Sequence, residues 1–216
     1  MAAGRATQNE IAQGVGIESK RIVPYLHSLT RLRLVERSVP VQERQARKSR
    51  KGRYRILDPF VRFWFRFVFP NRSRLEQGLV PEVYSERIGP HLDEHTSFVF
   101  EELARDHLWS LARRDVLPFS PDRIGSWHSA RDEVDVVAVD RTSQEVLAAE
   151  CKWSRKPIGV GVLELLEERA EQVRSSLGAH RIHLALFSRS GFRPELTERA
   201  KATGILLFEP SDLVRG

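Results

Sequence analysis

The feature that most constrains the fold is a pair of apolar runs, residues 134–139 and 146–152, separated by the polar segment 140–145. Each run has the length of one strand, and the segment between them has the composition of a turn. We therefore predict an antiparallel β-hairpin in the second half of the chain.

Charged residues interrupt these apolar runs at related positions. If the two ends of the turn face each other, the antiparallel register places Asp135 opposite Glu150. The same register places Glu133 opposite Lys152. Because successive side chains of a strand point to opposite faces, all four side chains would share one face of the sheet.

Carboxylates that face each other across a sheet repel, so this arrangement needs a compensating partner. Mg²⁺ is such a partner, because it typically binds one or two carboxylates together with water and phosphate oxygens. We expect Asp135 and Glu150 to bind Mg²⁺ or Mn²⁺, with the main-chain carbonyl of Cys151 as a further ligand. Lys152 would then orient or help deprotonate an attacking water. The alternative is a solvated strand in which Glu133 pairs with Lys152 and no metal binds.

The rest of the second half alternates between helix-like and strand-like patterns, which is typical of a small mixed sheet flanked by helices. The predicted helices are 97–113, 160–177 and 194–202, and the predicted strands besides the hairpin are 116–119, 124–127, 181–188 and 205–208.

The N-terminal part has the pattern of two helices followed by two strands. Thr7 and Glu10 match a capping box at the start of the first helix, and Gly14 and Gly16 end that helix with a tight turn. The second helix is predicted over 19–31, and the strands over 34–39 and 53–57, on either side of the basic loop 42–52.

This order of elements predicts a winged helix-turn-helix, in which the second helix enters the major groove of DNA and the basic loop contacts phosphates. Winged helices also bind proteins, and that alternative stays open. The candidate DNA-binding residues are Lys20, Arg21, Arg47, Lys48, Arg50 and Lys51.

The distribution of charge favours a nucleic-acid partner for the N-terminal part. Residues 1–74 hold 17 Lys/Arg and 5 Asp/Glu, whereas residues 75–216 hold 18 and 24. Between the two parts, the segment 58–71 carries aromatic residues at helical spacing. We interpret this stripe as a helix that packs the two halves against each other rather than as a platform for stacking bases.

Several classes of protein are disfavoured by the sequence. The chain has one cysteine, which excludes an internal disulfide and predicts a reducing, cytoplasmic compartment. The N-terminus lacks the apolar core of a signal peptide, and the most apolar stretch, 61–70, is too short to span a bilayer. No P-loop motif occurs, so we expect no ATPase activity from this chain.

The hairpin motif resembles that of the PD-(D/E)XK nuclease superfamily, which has an acid on the second core strand and E-x-K on the third. Asp135 matches the first acid, and Glu150 and Lys152 match the E-x-K. The superfamily often adds a glutamate from the first core helix, and Glu101 is the matching residue, with Glu102 as its neighbouring alternative. The sequence departs from the motif in having no proline before Asp135.

Two longer runs, residues 51–68 and 150–153, resemble the C-terminal half of archaeal-type AAA+ ATPases. Those proteins combine a P-loop ATPase, a winged helix and a C-terminal domain of unknown function. The resemblance covers the chain from Thr7 onward, except that the ATPase domain is absent. The chain therefore resembles a truncated or split member of that family or a stand-alone remnant of one, and for a split member the resemblance implies a separate ATPase subunit as a partner.

Taken together, these patterns predict an α/β chain with an N-terminal winged helix-turn-helix (1–58), an aromatic helical connector (59–95) and a restriction-endonuclease-like domain (96–216). The expected function is Mg²⁺-dependent hydrolysis of DNA phosphodiesters by Asp135, Glu150 and Lys152, assisted by Glu101. The alternatives are a non-catalytic DNA-binding regulator, in which the nuclease-like domain serves binding or homodimerisation, and an interaction module for the separate ATPase. No membrane partner is expected.

Overall fold

The computed structural model of the protein describes residues 1–2, 4, 6–46 and 48–214. They form two compact units, the first comprising 1–39 and 45–98 and the second comprising 40–44 and the described residues from 99 onward. The first contains a three-stranded sheet and the second a five-stranded mixed sheet, so the α/β class is confirmed. The helices within the described ranges are all too short or too polar to cross a membrane.

The first unit opens with helices and a small antiparallel sheet, in which β3 lies between β1 and β2. The predicted capping box is confirmed: the Glu10 N–H donates to the Thr7 hydroxyl, and the Thr7 N–H donates to the Glu10 carboxylate. The elements are β1 (Ala6–Thr7), α1 (Gln8–Gly14), α2 (Val23–Arg31), β2 (Val35–Ser38) and β3 (Arg53–Ile56).

Helix α2 begins four residues later than predicted. Pro24 lies in its first turn, where a proline is tolerated because it has no N–H to leave unsatisfied. The residues before it form turns and a bend, among which Gly16 has a left-handed φ of 68°. Ile22 and Leu26 are buried with Ala12 and form the small core of this region.

The aromatic segment is helical but irregular. Its first helix is capped by Asp58, whose carboxylate accepts a hydrogen bond from the Val61 N–H at 3.0 Å. Phe67 is buried, whereas Phe60 is 69% exposed. The predicted role of the stripe in packing the two halves together stays a prediction. The elements are α3 (Pro59–Phe63), a π-helical turn (Trp64–Val68), a 3-10 turn (Phe69–Asn71), α4 (Arg72–Glu76), α5 (Val80–Val83) and a second π-helical turn (Tyr84–Ile88).

The second unit is built on a sheet of order β4-β5-β6-β7-β8. The pairs β4–β5 and β5–β6 are antiparallel, and β6–β7 and β7–β8 are parallel. Its elements are the part of α6 (Gly89–Arg113) from residue 99 on, β4 (Arg123–His128), β5 (Glu133–Asp140), β6 (Glu145–Lys152), α7 (Val160–Leu177), β7 (Arg181–Ser188), α8 (Pro194–Thr203), β8 (Leu206–Phe208) and α9 (Pro210–Leu213).

Helices cover both faces of this sheet, which explains why its central strands are apolar on both sides. On one face, α7 and α8 contribute buried residues that pack with Val137, Val139, Val146 and Ala148. On the other face, α6 contributes Phe100, Ala104 and Leu108, which pack with Val136, Ala138, Leu147 and Ala149.

Two of the predicted elements of this unit are wrong in detail. Residues 116–119 form bends rather than a strand, and their apolar pattern reflects the burial of Leu117 and Phe119 in the core on the α6 side. Helix α6 begins at Gly89 rather than near 97, because Pro90 occupies the first turn of the helix and does not interrupt it.

The short segment 40–44, which follows β2 and includes the first residues of the predicted basic loop, belongs to the second unit. Val41 is fully buried, and its N–H donates to the Ser126 carbonyl at 2.9 Å. Arg123 donates to the Glu43 carbonyl at 2.9 Å. The segment therefore lies along the outer side of β4, which is an edge strand of the sheet.

Candidate functional site

The register of the central hairpin is as predicted for most of its length. The pairs run from Asp140 with Glu145 to Val136 with Ala149. At the next position, the Cys151 N–H donates to the side chain of Asp135, with 2.9 Å between the nitrogen and Oδ2. The Asp135 carboxylate therefore lies against the main chain of β6, directly after Glu150.

A bulge in β5 moves the residues before Asp135 away from simple alternation. The three residues Gly125–Trp127 of β4 face four residues of β5, so β5 has one residue more than its neighbour. Val134 and Val137 pack on the α7 side, whereas Val136 packs on the α6 side. The alternation is interrupted at Asp135. The charges of Glu150 and of Glu101 both act on its carboxyl.

Glu150 is the most buried acid of the site, at 4% exposure. It alternates with Val146 and Ala148, which places it on the α7 side. Lys152 Nζ donates to its Oε1 at 2.6 Å. Arg169 Nη1 lies 3.5 Å from its Oε2. Both carboxylate oxygens thus face a cation.

The structure does not reproduce the predicted pairing of Glu133 with Lys152 on the face that carries Glu150. Glu133 is exposed, pairs in the sheet with His128, and has its carboxylate 3.4 Å from the Nδ1 atom of that residue. Lys152 pairs in the sheet with Ser188 of β7. The pairs between β5 and β6 end at Val136 with Ala149, so the structure does not pair Glu133 with Lys152 in the sheet.

Burial is the main cause of the raised pKa of the Asp135 carboxyl. Together with the negative charges of Glu150 and Glu101, it raises the pKa of Asp135 from 3.8 to about 7. The Cys151 N–H and the Lys152 charge act in the opposite direction but do not cancel this increase. Displaced pKa values of this kind are typical of functional sites, although ion-pair networks also produce them.

Glu101 lies on α6, and its charge acts on both Asp135 and Cys151. Burial raises the pKa of the Cys151 thiol, and the nearby acids raise it further. The thiol packs with the apolar cluster on the α6 side.

Arg169 is a member of this cluster that was not predicted from the sequence. Besides Glu150 it approaches Asp132, with 3.6 Å between Nε and Oδ1. Its position in α7 could have indicated this, because it lies three residues after the buried Leu166 and four before the buried Val173.

The candidate DNA-binding residues of the first unit are exposed wherever the structure describes them. Lys20 and Arg21 lie in the turn before α2 rather than within the helix. Lys48, Arg50 and Lys51 lie between β2 and β3, and Arg47 lies outside the described residues. Sequence reasoning did not select Tyr25, which is 64% exposed on α2.

The loop between β2 and β3, which carries Lys48, Arg50 and Lys51, is ordered by Arg37 of β2. Its guanidinium donates to the Ala46 carbonyl at 2.8 Å and also to the Ser49 carbonyl. Gly52 makes room for this contact, because a Cβ atom there would lie 2.4 Å from the guanidinium carbon.

Within the described ranges, no group of three or more His, Cys, Asp or Glu side chains is arranged so that it could hold a metal ion. A metal at this site would therefore depend on Asp135 and Glu150, with water or substrate oxygens completing its coordination. Two carboxylates are within the range that Mg²⁺ takes from proteins.

Comparison with known proteins identifies the family of this mixed α/β chain. Residues 64–173, about half of the chain, match the family DUF234, described as archaeal and bacterial proteins of unknown function. An uncharacterized protein of Methanocaldococcus jannaschii is 35% identical over 153 residues, which is 71% of this chain and 34% of that relative. The chain belongs to this family and spans about a third of the length of that relative. No solved structure matches it significantly.

Proposed function

We infer that the second unit is a PD-(D/E)XK-like phosphodiesterase domain that acts on DNA with Mg²⁺ or Mn²⁺. The observation that carries this proposal is the Asp135 carboxyl, which accepts a hydrogen bond from the Cys151 N–H directly after Glu150 and whose pKa is raised to about 7. A carboxyl that burial and neighbouring acids hold partly protonated at neutral pH is a group that a cation would stabilise in its charged form.

The residues of the cluster suit different parts of this reaction. Asp135 and Glu150 would hold the metal, which when bound would polarise the phosphodiester. Lys152, whose ammonium lies 2.6 Å from Glu150, would orient the attacking water. Glu101 would assist from α6, since its charge already acts on Asp135.

The first unit would hold the DNA. Its order of two helices followed by a hairpin, with β1 pairing with the last strand, supports a winged-helix arrangement. The exposed basic residues between β2 and β3 would contact phosphates. Replacing Lys48, Arg50 and Lys51 together should weaken binding to all sequences alike and lower its salt dependence.

Cleavage of supercoiled plasmid tests the hydrolytic proposal. Wild-type protein with Mg²⁺ or Mn²⁺ should nick the plasmid, and Lys152→Ala should abolish nicking but leave gel-shift binding intact. The matched control is Lys201→Ala, which removes an exposed lysine paired with Glu198 on α8. Nicking that persists in Lys152→Ala would refute the role given to this residue.

A second candidate function is supported by the cations around Glu150. Because Lys152 and Arg169 already neutralise this carboxylate, the cluster is also suited to a metal-free structural role. The chain would then be a non-catalytic DNA-binding regulator, or an interaction module for a separate ATPase subunit. Salt-sensitive DNA binding without nicking would favour the regulator, and absence of both would favour the interaction module.

A further inference from the structure

Two loops beside the candidate site carry basic residues and no acids. Residues 153–159 follow β6, and residues 189–193 follow β7. Because these strands are parallel and Lys152 pairs with Ser188, both loops leave the same edge of the sheet. The basic residues of the two loops are Arg155, Lys156, Arg189 and Arg193.

Hydrogen bonds join the two loops to each other. The Ile158 N–H donates to the Gly191 carbonyl at 3.1 Å, and the Arg193 N–H donates to the Ile158 carbonyl at 2.9 Å. The Ser190 hydroxyl donates to the Ser154 carbonyl at 2.7 Å. The loops therefore form one surface of fixed geometry, which is the property that a site for an extended ligand needs.

Arg189 is held next to the catalytic lysine proposed above. Its N–H donates to the Lys152 carbonyl at 3.0 Å. Its guanidinium carbon lies 4.6 Å from the centroid of the Trp153 ring, which in turn packs against Phe100. An arginine stacked in this way is pre-organised, so less entropy is lost when its guanidinium binds a phosphate.

The remaining basic residues of these loops are accessible to a large ligand. Arg155, Lys156 and Arg193 are exposed, and Arg189 is partly exposed. Glu209, an acid from outside the loops, lies beside Gly191, where it caps the N-terminus of α9. The charge of the two loops themselves is purely positive.

We propose that Arg155, Lys156, Arg189 and Arg193 form a phosphate-binding rim that holds the DNA backbone beside the Asp135–Glu150–Lys152 cluster. This inference rests on the proposed function for its substrate class. It adds a second DNA-contacting surface, in the second unit, which would position the backbone for attack. Such contacts fix the register of a duplex without reading its sequence.

The test is the salt dependence of DNA binding by the full chain. Binding of a short fluorescent duplex is measured by anisotropy with a chelator present, between about 50 and 200 mM salt. Each phosphate contact contributes about 0.9 to the slope of log affinity against log salt. In Lys156→Gln/Arg189→Gln, loss of two contacts should therefore lower the slope by about 1.8, so that the ratio of wild-type to variant affinity changes about twelvefold over this range.

The control variant, Arg181→Gln/Lys201→Gln, removes the same charge elsewhere. Arg181 begins β7 at the edge opposite the rim, and Lys201 lies on α8. This variant should keep the wild-type slope. If the rim variant and the wild type have equal salt-dependence slopes, and circular dichroism shows that both proteins are folded, the proposed rim is overturned.

Plasmid cleavage with Mg²⁺ on the same proteins separates this inference from the proposed function. Wild type that binds but does not cleave would refute hydrolysis, while the reduced slope of the rim variant would still support the rim. If the wild type cleaves the plasmid and the rim variant keeps both the salt-dependence slope and the KM of the wild type, the proposed rim is refuted and the proposed hydrolysis stands.

Discussion

Asp135→Asn should make the metal-free protein more stable at neutral and alkaline pH, although it removes a residue to which we assign function. In the folded chain the pKa of Asp135 is about 7, and its ordinary value is 3.8. Between these values the unfolded chain binds fewer protons than the folded chain. The free energy of unfolding of the wild type therefore decreases as pH rises from about 4 to 7, and then levels off.

The size of this effect follows from the pKa difference. Three pKa units at about 1.4 kcal/mol each set an upper limit near 4 kcal/mol, and the partial exposure of the carboxyl reduces it to the order of 3 kcal/mol. Asparagine removes the charge but keeps an oxygen that can accept from the Cys151 N–H. The free energy of unfolding of the variant should therefore exceed that of the wild type by this amount at pH 8, and the difference should decrease towards zero near pH 4.

Denaturant titrations with a chelator, over this pH range, provide the measurement. The matched control is Asp140→Asn at the other end of β5. There, hydrogen bonds from the Ser143 hydroxyl and the Thr142 N–H lower the pKa of the carboxyl, so the sign is reversed and the asparagine variant should lose stability at neutral pH. An Asp135→Asn protein that is no more stable than wild type at pH 8 would refute the reasoning.

Three further predictions concern stability alone. Burial lowers the pKa of His95 to about 4, so as pH falls from 6.5 towards 4 the unfolded chain binds a proton before the folded chain does and the free energy of unfolding should decrease. In denaturant titrations, His95→Phe should flatten this part of the dependence of stability on pH, and an unchanged dependence would contradict the prediction. Leu163→Ala, at a fully buried position of α7, should cost roughly 2–5 kcal/mol, whereas Leu165→Ala, at a position 42% exposed, should cost much less; similar losses for both in urea unfolding would argue against the packing of α7. Gly178→Ala, at a left-handed φ of 66° where α7 ends, should lower the melting temperature through a strain of about 1 kcal/mol. Gly161→Ala, near the start of the same helix and with nothing within 4 Å of the added Cβ, should raise the melting temperature, and shifts of the same sign in both variants would contradict this reasoning.

Local patterns predicted much of the fold. The polar turn was sufficient to predict the pairing of Asp140 with Glu145, because a hairpin turn sets the register of both strands. The capping box at Thr7 and the bounds of α7 (Val160–Leu177) were also confirmed, since both depend on residues close in sequence.

Interactions with distant elements limited the prediction of the site. The alternation within β5 gives no sign of the bulge at Asp135, which arises from pairing with β4. The cation on the second oxygen of Glu150 comes from Arg169, 19 residues away on α7. The predicted strand over 116–119 was wrong because a buried loop and a strand can have the same apolar pattern.

The short segment 40–44 has a consequence for the solubility of the chain. An uncovered edge strand offers unpaired N–H and carbonyl groups to any other extended chain, and is a common starting point for aggregation. With Val41 hydrogen-bonded to Ser126, part of the outer side of β4 is already occupied. Substitutions that release Val41 should therefore promote self-association through β4 before they unfold the sheet.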